Sequence, residues 1–274
     1  MAECSGLLNL QGCRKAPSRV RIPPSPQGTS DLYSLVDDHE IAWAAGFFDA
    51  EGTASPSQRL HRPGRERQMA VYQGGRDEVP EALLRFQRAV GGRGNITGPY
   101  RNRLFHWTTR KNTAFDEVMT MLWPYLSEWK RAQLQRATES AGRAMPLECG
   151  AVVGSELQRT TELAWVAGFF DGEGYIGSGG SQGKRTIEMS IAQASVGELP
   201  LTLTRVAIVL GVGNLRGPRM LPNAWSKLPQ YVWKAAAFED VQYATAMLWR
   251  WLGPVKRAQA RAALLRYRAL RRAA

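Results

Sequence analysis

Residues 42–52 read AWAAGFFDAEG and residues 164–174 read AWVAGFFDGEG. The two segments differ at two positions only, so the chain carries an internal duplication, which predicts two repeats related by a pseudo-two-fold axis. Each copy ends in a glutamate followed by glycine, Glu51 or Glu173. A symmetric pairing of the segments would bring the two carboxylates together, and paired carboxylates are typical of a divalent-metal site.

Small residues recur at every fourth position of each copy. Residues four apart lie on one face of a helix, and two faces without bulky side chains allow helix backbones to approach closely. We therefore expect both segments to be helices that pack together along these faces, with the neighbouring tryptophans and phenylalanines in the core. The predicted contact positions are Ala42, Gly46 and Ala50 in the first copy and Ala164, Gly168 and Gly172 in the second.

The two glutamates are expected at helix C-termini, where the helix dipole disfavours an acid by up to about 1 kcal/mol. Two like charges ~4 Å apart cost about 4 kcal/mol more at an effective dielectric near 20. A proton or a cation would relieve both effects. Carboxylates together with the helix-end carbonyls of Ala50 and Gly172 are oxygen ligands, which suit Mg²⁺, or another divalent cation such as Mn²⁺, rather than zinc.

Asp49 and Asp171 lie two residues before the glutamates, about 200° around a helix. They cannot share the face of the glutamates while the helix continues. We expect them to be structural and to bond backbone or neighbouring helix groups.

The landmarks after each helix also occur twice and in the same order. Asp38 and Thr160 are the predicted N-caps of the first helix of each copy. Alternating runs predict strands, and turn signals of the form Gly-Asn and Gly-Pro close the next helix. The predicted strands are 68–73, 104–108, 186–193 and 231–235, the predicted helices are 79–90 and 199–210, and Met-Leu-Trp at 121–123 and 247–249 precedes Lys-Arg-Ala-Gln at 130–133 and 256–259.

Taken together, these features resemble the LAGLIDADG homing endonucleases in their single-chain, two-repeat form, over residues 38–137 and 160–266. The resemblance implies an α+β fold of two pseudo-symmetric αββαββα repeats, with saddle-shaped antiparallel sheets, packed through the two motif helices. It also implies site-specific hydrolysis of both DNA strands by a metal-dependent endonuclease with internal duplication, often encoded by a mobile intron. By the same resemblance the catalytic residues are Glu51, Glu173, Lys130, Lys256, Gln73 and Gln193, with the glutamates as metal ligands.

The domain organisation follows from the repeat and from composition. Residues 1–36 are rich in proline and poor in apolar periodicity, which predicts a disordered leader. The first repeat is expected at 37–137 and the second at 159–274. Glycines and a proline between them predict a linker at 138–158.

The charge of the chain favours a polyanionic partner. The formal net charge is +12, and 29 of the 36 basic residues are arginine. Guanidinium groups bind phosphate through two hydrogen bonds and also read guanine edges, and a two-stranded ribbon fits the major groove. We expect double-stranded DNA to contact strand faces and hairpin tips through Arg59, Arg62, Arg65, Arg67, Arg101, Arg103, Lys184, Arg185, Arg216, Arg219 and Lys227.

The remaining composition narrows the class of protein. Three widely spaced cysteines show no zinc-finger spacing, which favours a reducing compartment. Residues 1–30 lack a signal-peptide core, and no apolar run approaches the ~20 residues that cross a bilayer. We expect an intracellular protein, cytoplasmic or organellar and not secreted, without a membrane partner, acting as a monomer.

Two alternatives use the same fold. A catalytically silent DNA-binding regulator would have lost the chemistry, but both acids, both glycines and both lysines are retained. An RNA-splicing maturase would bind intron RNA through a basic surface away from the nuclease face, and the sequence leaves this open as a second activity.

Overall fold

A computed structural model describes residues 37–57, 66–75, 78–100, 103–146, 149, 159–181, 184–220 and 228–272. The predicted leader and about half of the predicted linker lie outside these residues. The helices are α1 Asp38–Glu51, α2 Glu81–Ala89, α3 Asn112–Leu122, α4 Glu128–Ser140, α5 Arg159–Glu173, α6 Leu201–Leu210, α7 Phe238–Leu248 and α8 Pro254–Arg272. The strands are β1 Gly52–Ser57, β2 Glu66–Gly74, β3 Asn95–Thr97, β4 Leu104–Thr109, β5 Gly174–Ser181, β6 Lys184–Ala194, β7 Asn214–Arg219 and β8 Gln230–Ala235.

The two halves of the chain have the same topology. Each begins with a motif helix, continues through two strands, a helix and two strands, and ends with two helices. The first sheet has the strand order β1-β2-β4-β3 and the second has β5-β6-β8-β7, with every neighbouring pair antiparallel. The predicted α+β class with two pseudo-symmetric repeats is confirmed.

The motif helices α1 and α5 pack directly against each other, as predicted. A Cβ atom placed on Gly46 would lie 2.0 Å from the carbonyl oxygen of Trp165, and one placed on Gly168 would lie 1.9 Å from that of Trp43. Only glycine allows backbones to meet this closely. Ala42 and Ala164 are fully buried on the same helices.

The strands bury one face and leave the other more open, because successive side chains point to opposite sides. In β4, Phe105 and Trp107 are buried whereas His106 is partly exposed, and β8 repeats this with Tyr231 and Trp233 buried. The buried faces of both sheets pack with the helices into one continuous core.

Helix starts differ slightly from the prediction. The N-cap of α1 is Asp37 rather than Asp38, and its carboxylate accepts a hydrogen bond from the backbone N–H of His39 at 3.0 Å. Helices α2 and α6 begin two residues later than predicted, after Pro80 and Pro200. A proline disfavours the helical conformation in the residue before it, so neither helix can include that residue. Among the described helices, none has the length and apolar character needed to span a membrane.

Candidate active site at the paired helix ends

The carboxyl ends of α1 and α5 bring Glu51 and Glu173 together. A Cβ atom placed on Gly172 would lie 3.0 Å from Cγ of Glu51 and 3.7 Å from its Oε1, so the Glu51 side chain reaches across to the end of α5. Burial, and then the negative charge of Glu173, raise the pKa of Glu51 to about 7. Burial also raises the pKa of Glu173, although its side chain remains partly open to solvent. The raised pKa values have two causes: both carboxyl groups are partly removed from water, and the charge of Glu173 repels that of Glu51.

Two lysines from the following helices flank this pair. Lys130 of α4 is buried, and its Nζ donates a hydrogen bond to the carbonyl of Gly52 at 2.6 Å. Lys256 of α8 donates in the same way to the carbonyl of Gly174. Burial lowers the pKa of each lysine, while the nearby carboxylates oppose that shift. Both ammonium groups act on Glu51 and on Glu173, so the site combines residues of the two repeats.

The two strand glutamines do not occupy equivalent positions. The Nε2 of Gln73 donates a hydrogen bond to Oε1 of Glu51 at 2.9 Å. Gln193 instead accepts a hydrogen bond from the hydroxyl of Thr202 at its Oε1. The structure therefore brings Gln73 to the paired glutamates and directs Gln193 towards α6.

Asp49 and Asp171 accept hydrogen bonds at the starts of α4 and α8, the helices that carry the two lysines. The predicted structural role of these aspartates is confirmed. Asp49 accepts hydrogen bonds from the backbone N–H of Ser127 at 2.9 Å and from its hydroxyl at 2.6 Å. Ser127 is the N-cap of α4. Asp171 accepts from the backbone N–H of Gly253, immediately before α8, at 2.8 and 3.0 Å. Each aspartate thereby fixes the start of a lysine-bearing helix.

Two arginines that were not predicted as site residues bond the segments that precede α8 and α4. Each arginine belongs to the repeat opposite the segment that it bonds. Arg85 of α2 pairs with Glu40 through two hydrogen bonds of 2.8 and 2.7 Å and donates to the carbonyl of Trp251 at 2.5 Å. Arg205 of α6 pairs likewise with Glu162, both bonds at 2.7 Å. It donates to the carbonyl of Tyr125 at 2.8 Å. Their guanidinium groups stack over Trp43 and Trp165, at 4.0 and 3.9 Å from the ring centres.

The donor set at the helix ends fits a hard divalent cation. It offers the carboxylates of Glu51 and Glu173, and Ala50 and Gly172 meet at the same seam, where a Cβ atom on the glycine would lie 2.5 Å from Cβ of the alanine. Among the described residues, no three His, Cys, Asp or Glu side chains converge. Such a site leaves coordination positions open for water and phosphate oxygens. Mg²⁺ is usually bound in this way, whereas structural zinc sites are closed by four protein ligands.

Solved structures with the same architecture match most of this chain. I-AabMI bound to uncleaved DNA aligns with a TM-score of 0.54 at 13% identity, over 84% of this chain and 97% of that one. I-GzeII in complex with its DNA target gives 0.53 at 14% identity, over 81% and 87%. I-SmaMI bound to uncleaveable DNA gives 0.50 at 16% identity, over 77% and 84%. The chain has the LAGLIDADG homing endonuclease fold. Neither family models nor curated proteins give a significant match to the sequence.

In this LAGLIDADG fold, several predicted DNA-contacting residues are available at strands and their ends. Arg103, Arg185, Arg216 and Arg219 are exposed. Exposed Arg110, which the sequence reading missed, follows β4 and donates to Gln68 at 2.6 Å. Lys184 belongs to β6, but its side chain is outside the described residues, as are Arg59, Arg62, Arg65, Arg101 and Lys227.

The prediction that Arg67 contacts DNA is wrong. Arg67 is fully buried, and its guanidinium donates to Asp116 at 2.5 Å and to the hydroxyl of Thr138 at 3.0 Å. It also lies over the ring of Phe115 at 4.3 Å. Its strand position explains this, because Arg67 shares a face of β2 with buried Met69 and Val71.

Proposed function

We propose that this protein is a site-specific double-strand DNA endonuclease of the LAGLIDADG homing type that uses a divalent cation, Mg²⁺ or Mn²⁺. The observation that carries the proposal is the convergence of Glu51 and Glu173, with Lys130 and Lys256 beside them, at the seam between the repeats. We further propose that it acts as a monomer inside the cell, as two repeats joined by a linker that begins after α4 ends at Ser140.

The reaction forms a bond from a water oxygen to phosphorus and breaks the bond from phosphorus to the 3′ oxygen, once on each strand. Glu51 and Glu173, with the carbonyls of Ala50 and Gly172, would hold the cation, which when bound supplies positive charge that acidifies water and stabilises charge on the phosphate. Lys130 and Lys256 add fixed positive charge at the same place. Gln73 restrains the carboxylate of Glu51 through its amide.

DNA binding is proposed for the open strand ends. Exposed arginines there, including Arg216 and Arg219, provide guanidinium groups that pair with phosphate or guanine. The structural neighbours I-GzeII and I-AabMI are bound to DNA, which supports the same class of partner here.

The experiment incubates the full chain with Mg²⁺ and a randomised library of duplex DNA, then sequences the cut ends. Wild-type protein is expected to produce staggered double-strand breaks at one related set of sequences. Glu51→Gln and Glu173→Gln each remove one carboxylate charge and should abolish the breaks. Glu239→Gln alters an exposed acid on α7 and is the matched control, so it should cut like wild type.

Binding without cutting by the wild-type protein would overturn the endonuclease proposal and identify a DNA-binding regulator. Acceleration of host-intron splicing with no DNA cleavage would instead identify a maturase. Cutting that persists in both glutamate variants would show that the paired carboxylates are not the catalytic site.

A further inference from the structure

The two halves of the site differ in one hydrogen bond, although their backbones are equivalent. Gln73 pairs with Phe105, the second residue of β4, and Gln193 pairs with Tyr231, the second residue of β8. From these matched positions, Gln73 donates to Glu51, whereas Gln193 accepts from Thr202. Among the described residues, Glu173 has no glutamine partner.

The two halves also differ by a single hydroxyl on the helix that follows each glutamine strand. Thr202 is the second residue of that helix, after Pro200 and Leu201, and the matching second residue of α2 is Ala82. Alanine has no hydrogen-bonding side chain, so this position of α2 offers no donor to Gln73. The threonine hydroxyl supplies a donor for Gln193 at the equivalent place.

On the basis of the proposed function, we infer that the two half-sites hydrolyse their strands at different rates, and that Thr202 sets this difference by holding Gln193 away from Glu173. The half-site with Gln73 has its carboxylate restrained by an amide before DNA binds. The other half-site must first break the Thr202–Gln193 bond or work without its glutamine. Thr202 is thus a positioning residue that acts through Gln193, and a nicked intermediate should accumulate during cleavage.

The test measures each strand separately. A duplex carrying the target selected from the library receives a different fluorophore on each strand, and single-turnover rates are followed with Mg²⁺. Gln73→Leu identifies the strand that depends on the first half-site. In wild-type protein that strand should be cut faster, by about tenfold, which is the effect of one hydrogen bond.

Variants at the two matched positions should both bring the two strand rates closer together, one by speeding the slow strand and the other by slowing the fast strand. Thr202→Val keeps the shape and removes the hydroxyl, so it should speed the slow strand and bring the two rates within about twofold. Thr202→Ser keeps the hydroxyl and should behave like wild type. Ala82→Thr should slow the fast strand. Adding Gln193→Leu to Thr202→Val should cancel the gain, because the effect passes through that side chain.

A second readout needs neither DNA nor metal. In protein labelled with ¹⁵N-glutamine, Thr202→Val should shift the side-chain NH₂ signals of Gln193 and leave those of Gln73 in place. Unmoved Gln193 signals, equal strand rates in wild type, or an unchanged rate ratio in Thr202→Val would each overturn the inference while leaving cleavage itself intact. Absence of any cutting by wild type, with the Gln193 signals shifted as expected, would overturn the proposed function and the rate asymmetry but keep the Thr202 contact.

Discussion

The indole of Trp43 in the first repeat donates a hydrogen bond to Asp171 in the second at 2.8 Å. The reciprocal bond runs from the indole of Trp165 to Asp49 at 3.0 Å. Each aspartate also anchors the helix that carries a lysine of the candidate site. The repeats are therefore joined through the same carboxylates that order the site.

Removing one indole donor should weaken the seam. Trp43→Phe keeps an aromatic ring and leaves the almost fully buried carboxylate of Asp171 one hydrogen bond short. We expect the free energy of unfolding to fall by about 1–3 kcal/mol, measured by urea denaturation. Trp129→Phe, at a side chain that is 70% exposed, is the control and should change it by less than about 0.5 kcal/mol. Equal effects of the two variants would contradict the role of the Trp43 bond.

The contact of Gly46 with the opposite helix allows no added methyl group. In Gly46→Ala the new Cβ would meet the Trp165 carbonyl oxygen at 2.0 Å, so α1 and α5 must separate. We expect destabilisation of about 3 kcal/mol, the upper end of the usual cost of overpacking, seen as a lower thermal midpoint. At Gly74 a Cβ atom would meet nothing within 4 Å. Gly74→Ala should therefore leave the midpoint nearly unchanged, and a comparable loss there would argue against a specific seam.

Arg67 should affect folding and not DNA recognition directly. Arg67→Met removes the partner of Asp116 and the donor to Thr138, and we expect a loss of about 2–3 kcal/mol in unfolding free energy. The estimate is below that for a fully buried pair because Asp116 is 32% exposed. If the variant kept wild-type stability and lost DNA affinity, the buried assignment would fail.

Arg216 is an exposed residue of β7, and in contrast to Arg67 it should affect DNA binding and not stability. Arg216→Ala should leave the thermal midpoint unchanged and weaken binding to the selected DNA. If Arg216 contacts a phosphate, the slope of log affinity against log salt should become less negative by about 1. Fluorescence anisotropy at several salt concentrations measures both quantities. Unchanged affinity and slope would remove Arg216 from the proposed interface.

The raised pKa values of Glu51 and Glu173 should make the free energy of unfolding depend on pH. Because the pKa of Glu51 is raised from 4.5 to about 7, the folded protein holds its proton in a range where the unfolded chain has released it. Between these values the free energy of unfolding falls as the pH rises, and the raised pKa of Glu173 acts in the same direction.

Thermal melts of metal-free protein across that range measure the effect. Glu51→Gln should flatten the decline, and Glu239→Gln should not. Mg²⁺ should raise the midpoint more at about pH 8 than at about pH 5, because the cation competes with protons for the carboxylates. A decline that persists unchanged in Glu51→Gln would assign it to other groups.

Much of this architecture could be predicted because the same sequence pattern occurs in both halves of the chain. Glycine spacing predicted the helix seam, and the repeated order of landmarks predicted the elements of each half. The burial of Arg67 was also readable, since it alternates with Met69 and Val71 on one strand face. The matched Arg85 and Arg205 follow Pro80 and Pro200 by the same spacing, a signal that the sequence reading did not use.

The different settings of Gln73 and Gln193 could not be predicted in the same way. Both lie at the same place in their strands, but the partner of Gln73 belongs to α1 and the partner of Gln193 belongs to α6. Only the folded structure shows that the Thr202 hydroxyl of α6 is close enough to bond Gln193. Side-chain competition of this kind depends on tertiary distance and not on local periodicity.

The reciprocal indole–aspartate bonds have an evolutionary consequence. Because each motif helix both offers and receives the same groups, one repeat contains a complete self-complementary surface, as in a symmetric homodimer. An ancestor encoding a single repeat could have built the same seam from two copies of itself. Two identical copies cannot differ at equivalent positions. A difference such as Thr202 in one repeat and Ala82 in the other requires the two repeats to be encoded separately.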